Sequence, residues 1–176
     1  MDTKIILIVG PSGVGKDTLL REAKKSLGEN FNFLDRYITR KPCKNEGNFY
    51  LDDYAFEILK HKSFFISTWS AHGNYYGIAK KSIKEGVNII SVSRSKIRDF
   101  ENFHDNVFTI NINISKEKLK QRLENRAREN KEEIEKRLNR TYEKIEAENL
   151  IEFDNSEEIE ISSKKFIKIL KSFVEG

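Results

Sequence analysis

The stretch Gly10-Pro11-Ser12-Gly13-Val14-Gly15-Lys16-Asp17-Thr18 decides the fold of this 176-residue chain. It follows the apolar run Ile5–Val9 and opens onto a helix-forming segment, Leu19–Ala23. Gly10 and Gly15 enclose four residues and a lysine follows at once, which is the spacing of a phosphate-binding P-loop. Backbone N–H groups of such a loop point at a phosphate, and the helix N-terminus adds positive potential. The stretch therefore predicts a nucleoside triphosphate site over residues 10–18, with the Lys16 ammonium on the outer phosphates.

One residue departs from the P-loop pattern. The residue after the lysine is normally Ser or Thr, whose hydroxyl binds magnesium, but here it is Asp17, followed by Thr18. A carboxylate holds Mg²⁺ directly or through water, so Asp17 and Thr18 are the candidate metal ligands. The alternative is that Asp17 is an acidic first-turn residue that complements the helix dipole.

Length and composition indicate one domain over residues 1–176. Charged residues make up 34% of the chain, and no run approaches the ~20 apolar residues that span a bilayer. A start with Asp2 and Lys4 does not resemble a signal peptide, and a lone Cys43 suits the reducing cytoplasm, where we expect the protein. A net charge of +4 permits an anionic partner, either nucleic acid or small phosphates. Monomer and homodimer both stay open.

Apolar runs alternate with helix-forming segments along the chain. We expect strands at Lys4–Val9, Phe31–Leu34, Phe64–Ile66, Val87–Val92, Val107–Ile112 and Ile151–Phe153. The first run is uninterrupted rather than alternating, which indicates a strand buried on both faces. The sequence therefore predicts a parallel sheet with helical crossovers, and a ligand site beyond the C-terminal ends of its strands.

Helix signals fall between these strands. We expect helices from the P-loop to about Leu27, over Asp52–His61 with Asp52 as N-cap, from Ser115 to about Arg128, from a capping box at Asn130 and Glu133 to about Glu148, and over Ser163–Val174. The polar segment Thr39–Asn48 is expected to be irregular. Two glycines within Ser70–Gly77 indicate a turn.

Arginines concentrate in the two helical segments near the C-terminus: Arg122, Arg126, Arg128, Arg137 and Arg140. Interleaved glutamates make a solvated face the simpler interpretation for most of them. It fits Arg126 and Arg137 less well, because an arginine-bearing hairpin over about 122–140 occupies the position of the mobile lid in P-loop kinases. A lid arginine stabilises charge on the moving phosphoryl group, so Lys16, Arg126 and Arg137 are the candidate catalytic residues.

Three further clusters are candidates for binding an acceptor. Arg36 and Arg40 follow a predicted strand, and arginine forks bind phosphate bidentately, although a surface role is the alternative. Tyr76 belongs to an aromatic turn that is either a small core or a pocket wall. Ser93 and Arg94 follow another strand end, where the alternative is a helix N-cap by Ser93 or Ser95.

No nucleophile–base pair, zinc spacing or Gly-x-Ser-x-Gly elbow stands out in the sequence. A hydroxyl acceptor gains from a base that takes its proton, whereas a phosphate acceptor is already mostly ionised near neutral pH. Such an acceptor needs only positioning and charge neutralisation. The sequence therefore favours transfer from one phosphate to another.

These residues together resemble the guanylate kinase family over nearly the whole chain. Its P-loop, the Thr39-Arg40-Lys41-Pro42 stretch, the His72–Gly77 turn and the arginine hairpin occur in the family's order. The resemblance implies an α/β P-loop NTPase fold of three layers around a mostly parallel sheet. It further implies a nucleoside monophosphate kinase-like arrangement, with an acceptor-binding region at about 35–80 and a helical lid at about 122–140.

Within that group the chain most resembles the ribose 1,5-bisphosphate phosphokinases. The similarity lies in Gly15-Lys16-Asp17, in Arg36–Arg40, in Ser93-Arg94 and in the run from Gln121 to Asn130. It implies ATP as phosphate donor with Mg²⁺, ribose 1,5-bisphosphate as acceptor, and phosphoribosyl pyrophosphate as product. Arg40 and Tyr76 would anchor the reacting phosphate, with Arg36 and Arg94 as candidates for the second one.

Departures from guanylate kinases favour the same reaction. Cys43 stands where those enzymes use a second arginine, and Ser67 aligns with the glutamate that reads guanine. Serine cannot accept both N–H bonds from guanine. A guanylate kinase with rebuilt base recognition, a non-catalytic module of the same fold and a nucleic-acid binder are the alternatives, and interleaved glutamates argue against the last.

Overall fold

The computed structural model describes residues 2–41, 47–125, 132, 134, 135, 138 and 144–175. The strands are β1 (Lys4–Val9), β2 (Phe31–Phe33), β3 (Tyr37–Ile38), β4 (Phe49–Tyr50), β5 (Phe65–Ala71), β6 (Asn74–Ala79), β7 (Val87–Ser91), β8 (Val107–Asn113) and β9 (Leu150–Asp154). The helices are α1 (Lys16–Ser26), α2 (Asp53–His61), α3 (Ile97–Glu101), α4 (Lys116–Asn125) and α5 (Ile159–Glu175), with 3₁₀ turns at Lys80–Ser82 and Arg94–Lys96. Arg126, Arg137, Cys43 and the capping box at Asn130 and Glu133 lie outside the described residues.

The larger sheet is five-stranded and parallel throughout, in the order β2-β7-β1-β8-β9, which confirms the predicted α/β class. Alternate residues of the central β1 enter two cores, because successive side chains point to opposite faces. Ile6 and Ile8 join one core with α1, α4 and α5, while Ile5, Leu7 and Val9 join another with α3. The result is a three-layer sandwich with the P-loop at the C-terminal end of its central strand.

A second sheet of four strands, ordered β4-β3-β6-β5, carries the predicted acceptor region. The turn expected within Ser70–Gly77 is confirmed at residues 72 and 73, where it connects β5 and β6, which pair antiparallel from Ala71 and Asn74 outward. His72 and Gly73 join them with φ of 51° and 74°. Positive φ at both turn positions is the signature of a type I′ hairpin, which matches the twist of the strands.

The two faces of this small sheet differ in character. Its outer face is an aromatic cluster under α2, in which Phe56 stacks on Phe65 at 4.9 Å between ring centroids and Tyr37 meets Phe65 edge-on. Its inner face carries Trp69 paired opposite Tyr76, and Trp69 packs against the core that α3 shares with β1. The small sheet therefore has a core of its own and turns its inner face to the P-loop side.

Helix ends follow the sequence in some places and depart from it in others. Asp52 caps α2 as expected, since its Oδ1 accepts from the Ala55 N–H at 2.8 Å. The predicted end of the second long helix at about Glu148 was wrong, because residues 144–149 are irregular. There the Glu148 N–H donates to Glu101 Oε1 at 2.7 Å, and Asn149 Nδ2 donates to the Val107 carbonyl at 2.9 Å. These long-range bonds replace the helical ones.

Within the described residues, no helix is long and apolar enough to cross a membrane.

Candidate active site

The loop between β1 and α1 has the conformation of a phosphate cradle. Gly10 has φ +144°, and a Cβ placed there would lie 2.5 Å from the Ile112 carbonyl oxygen of β8. Gly15 has φ +96°, and its Cβ would lie 2.6 Å from Asn155 Nδ2. Only glycine fits both the backbone angles and the space, so the loop can stay close to the strand ends with its N–H groups available.

Lys16 folds back over this loop. Its Nζ donates to the carbonyl oxygens of Gly10 at 2.5 Å and Pro11 at 2.9 Å. Burial lowers the pKa of Lys16 to about 8, the Asp17 carboxylate raises it, and the positive charges of Arg36 and Arg94 lower it further. The predicted cations Arg36 and Arg94 therefore lie close enough to act on the P-loop lysine. Converging positive charge of this kind suits a polyphosphate ligand.

Two side chains from elsewhere in the chain hold the loop from behind. Asn155, which follows β9 and is 2% exposed, donates through Nδ2 to the Val14 carbonyl at 2.6 Å. Arg122 of α4 donates to the same carbonyl through Nη1 at 3.2 Å. From the sequence, Arg122 was assigned only to a charged helix face, and a position after a strand end was the only signal for Asn155; neither contact with Val14 was predicted.

Asn155→Ala is expected to loosen the P-loop. The change leaves the buried Val14 carbonyl with Arg122 as its one remaining side-chain donor among the described residues, and it should lower the free energy of unfolding by about 1–3 kcal/mol. We expect a lower melting temperature and weaker ATP binding, measured by calorimetry, with little effect on acceptor KM. Asn149→Ala, which removes a comparable side-chain bond to the Val107 carbonyl, is the control and should lower stability alone. Unchanged ATP affinity in Asn155→Ala would contradict a positioning role.

A cavity of about 410 Å³ opens beside the P-loop, along the face of α1 and under the ends of β2 and β7. Its polar and charged lining consists of Asp17, Arg21, Lys24, Asp35, Arg36, Asn48 and Ser91. Thr18 instead lines a groove between α1 and α5. Of the two predicted metal ligands, Asp17 is thus the one beside the cavity.

The residue types fit a magnesium ion that arrives with a nucleotide. Among the described residues, no three His, Cys, Asp or Glu side chains form a metal-binding group. Magnesium commonly binds one or two carboxylates plus substrate phosphates rather than an all-protein cage. A single carboxylate at Asp17, next to Lys16, meets that requirement.

The acceptor candidates of the small sheet come together on its inner face. The Tyr76 ring stacks on Trp69 at 5.5 Å between centroids, and the Arg36 guanidinium lies 5.6 Å from the centroid of the same ring. Arg40 follows Thr39, whose backbone N–H donates to the Tyr75 carbonyl and whose hydroxyl accepts from the Tyr75 N–H. These bonds to Tyr75 fix the backbone immediately before Arg40 on the hairpin.

Ser93 and Arg94 lie at the start of a 3₁₀ turn after β7. Ser93 stands at the N-cap position without a capping bond, and its hydroxyl instead shares a hydrogen bond with that of Ser95 at 3.1 Å. Arg94 lines a separate cavity of about 550 Å³, bounded by α3 and residues 144–148. Arg36 and Arg94 thus both act on Lys16 but line different cavities.

Ser67, which is expected from the sequence at the position of a guanine-reading glutamate, is bonded to a carboxylate from another segment. Its hydroxyl donates to Asp99 Oδ2 of α3 at 2.6 Å, and Lys96 Nζ lies 3.4 Å from the same oxygen. Ser67 is 3% exposed. Sequence reasoning missed Asp99, because the contact spans 32 residues and joins the small sheet to the core.

A P-loop lysine at the end of the central parallel strand, beside a charged cavity and a small antiparallel sheet, defines a P-loop phosphotransferase. The family model described as guanylate kinase matches residues 2–175, and the chain belongs to the guanylate kinase family. Its kinase relatives make it an ATP-dependent phosphotransferase. The predicted family and fold class are thereby confirmed.

Relatives and a solved structure agree with this membership. The chain is 34% identical to "Ribose 1,5-bisphosphate phosphokinase PhnN" of Brucella melitensis, over 92% of this chain and 88% of that one. It is 37% identical to "Bifunctional ribose 1,5-bisphosphokinase-thymidine phosphorylase" of Roseobacter denitrificans, over 81% of this chain but only 22% of that longer protein. Guanylate kinase from Anaplasma phagocytophilum has the same fold, with a TM-score of 0.62 and 19% identity over 99% of this chain and 87% of that one.

Proposed function

We propose that this enzyme transfers the γ-phosphoryl group of ATP to the 1-phosphate of ribose 1,5-bisphosphate, giving phosphoribosyl pyrophosphate and ADP. The observation that carries the proposal is the charged cavity beside Lys16, whose lining includes the cations Arg21, Lys24 and Arg36. The relatives named as ribose 1,5-bisphosphate phosphokinases support the same acceptor. A small phosphorylated substrate, a cytoplasmic location and a monomer or homodimer complete the proposal.

In this mechanism the protein positions and neutralises phosphates. The P-loop N–H groups and Lys16 hold the donor phosphates, while Arg40 and Tyr76 hold the acceptor phosphate in line with them. Asp17 would hold a magnesium ion, which would supply charge neutralisation at the donor phosphates. Because the acceptor oxygen is already ionised, no general base is required. Arg126 and Arg137 are proposed to close over the phosphoryl group and exclude water.

Phosphorylation of GMP is a second candidate function, because Asp99 brings a carboxylate to Ser67. A carboxylate there is the group that guanine N–H donors require. Asp99 Oδ2 is, however, already bonded to the Ser67 hydroxyl and paired with Lys96. Guanine would have to compete with both partners, which disfavours this alternative.

ADP release with ATP and Mg²⁺ tests the two candidates directly. At equal concentrations we expect ribose 1,5-bisphosphate to exceed GMP by roughly 10³-fold or more in kcat/KM, because a site lacking free partners for guanine rejects it. ATP without an acceptor corrects for hydrolysis. Preferred turnover of GMP would overturn the proposal, and Asp99→Ala would then be expected to abolish the GMP activity selectively.

A further inference from the structure

One face of α1 carries a line of charged side chains into the cavity beside the P-loop. Asp17, Arg21 and Lys24 all line it, at spacings of four and three residues that place them on the same helix face. From Asp17 to Lys24 the helix rises about 10 Å. The cavity thus leads from the P-loop lysine to a pair of cations two turns further along the helix, a length that suits a sugar with phosphates at both ends.

Arg36 faces these cations across the cavity and is held in place there. Its backbone N–H and its Nε both donate to Asn48 Oδ1, at 3.3 and 3.4 Å, and its guanidinium lies against the Tyr76 ring. Asp35 lies between the two sides, since the charges of Lys24 and Arg36 both act on its carboxyl group. The cavity lining has a net positive charge, because its three cations outnumber its two carboxylates, Asp17 and Asp35.

The charges of the lining predict the chemistry of its ligand. Burial raises the pKa of Asp35, which disfavours the negative charge of its carboxyl group. Arg21, Lys24 and Arg36 line the same cavity, and guanidinium groups together with an ammonium group are the cations that bind a phosphate dianion. By the helix rise, Arg21 and Lys24 lie roughly 8 and 12 Å along α1 beyond Lys16, far enough to serve a phosphate other than the reacting one.

We propose that Arg21 and Lys24, with Arg36 opposite, bind the second phosphate of the acceptor, the one that does not react. This inference rests on the proposed function and assigns the 5-phosphate of ribose 1,5-bisphosphate to the α1 side of the cavity. Arg94, the other sequence candidate for this phosphate, lines a different cavity. The enzyme would therefore prefer bisphosphorylated sugars to monophosphorylated ones through contacts from Arg21 and Lys24 of α1, the helix that begins at the P-loop.

The test compares Lys24→Ala and the double variant Arg21→Ala/Lys24→Ala with Lys25→Ala. Lys25 neighbours Lys24 but pairs with Glu22 outside this cavity, so it is a matched control. For ribose 1,5-bisphosphate we expect KM to rise about 10- to 100-fold in the first two variants, the loss of one or two charged hydrogen bonds, with kcat nearly kept. Activity with ribose 1-phosphate, which lacks the 5-phosphate, should stay at the wild-type level.

Calorimetric binding of ribose 5-phosphate separates this inference from the proposed function, because it requires no turnover. Wild type and Lys25→Ala should bind it, and Lys24→Ala should bind it at least tenfold more weakly. Equal affinity in all variants, or an equal loss of activity on both sugars, would overturn the subsite. If ribose 5-phosphate binding depends on Lys24 but the bisphosphate is not phosphorylated, the subsite stands and the proposed reaction falls.

Discussion

Lys16→Met is expected to lower kcat/KM by about 10³-fold or more while preserving the fold. In the proposed mechanism the Lys16 ammonium contacts the donor phosphates, and preorganised charge is worth about 3–4 kcal/mol at such a position. Methionine keeps the length of the side chain without its charge. Steady-state ADP release measures the loss, and Lys25→Met, an exposed lysine of the same helix, is the matched control.

The same variant tests how Lys16 makes the stability of the folded protein depend on pH. The pKa of Lys16 in the folded protein is about 8, below its usual 10.5, chiefly because of burial. The unfolded chain therefore binds more protons between these values, and the stability of the wild type rises with pH across this window. Lys16→Met lacks that contribution, so the wild type should gain melting temperature relative to it from pH 8 to 10.5. A constant difference would contradict the lowered pKa.

Nucleotide affinity should depend on pH in the opposite direction. ATP phosphates favour the charged ammonium, and free Lys16 loses its proton above pH 8. Binding at pH 9 should take up a proton and weaken up to about tenfold for each further pH unit. Calorimetry in two buffers of different ionisation enthalpy detects that proton, and Lys16→Met should show none.

Gly10→Ala is expected to have the second largest effect, on stability and nucleotide binding together. Its Cβ would meet the Ile112 carbonyl at 2.5 Å, and φ of +144° is strained for alanine. The carbonyl belongs to β8, which is paired with both β1 and β9, so it cannot move without disturbing the sheet. We expect a loss of about 2–4 kcal/mol, seen as a melting temperature lower by roughly 4–16 °C.

Gly28→Ala is the matched control for that change. Gly28 follows α1, and a Cβ there would have no heavy atom of the described residues within 4 Å. We expect a stability within about 0.5 kcal/mol of the wild type and unchanged ATP affinity. Equal effects of Gly10→Ala and Gly28→Ala would show that the close approach to β8 is not what the loop requires.

The sequence predicted the elements whose signals are local. The spacing of Gly10, Gly15 and Lys16 predicted the P-loop. An uninterrupted apolar run predicted β1, because a parallel strand that is buried on both faces needs apolar side chains on both. The Asp52 cap was predictable for the same reason, since its bond to Ala55 spans three residues. The family followed from these motifs in order.

The small sheet was only partly predictable. The strands β5 and β6 mix aromatic, aliphatic and polar residues without a regular alternation, because both faces of the small sheet are covered, one by α2 and the other by the core. The sequence showed the glycines of the hairpin but not the pairing around them. Likewise, residues 144–149 carry a helical pattern that bonds to Glu101 and Val107 override.

The sequence by itself determined the phosphate loop, the parallel α/β core and the family, because short spacings along the chain encode each of them. The tertiary structure alone decided which groups support and extend the site. Asn155 reaches Val14 across 141 residues, Ser67 meets Asp99 across 32, and Arg36 faces a helix that begins at Lys16. Contacts between residues so far apart in sequence depend on how the two sheets and their helices pack. The residues next to each side chain along the chain do not indicate which partner that packing brings into contact with it.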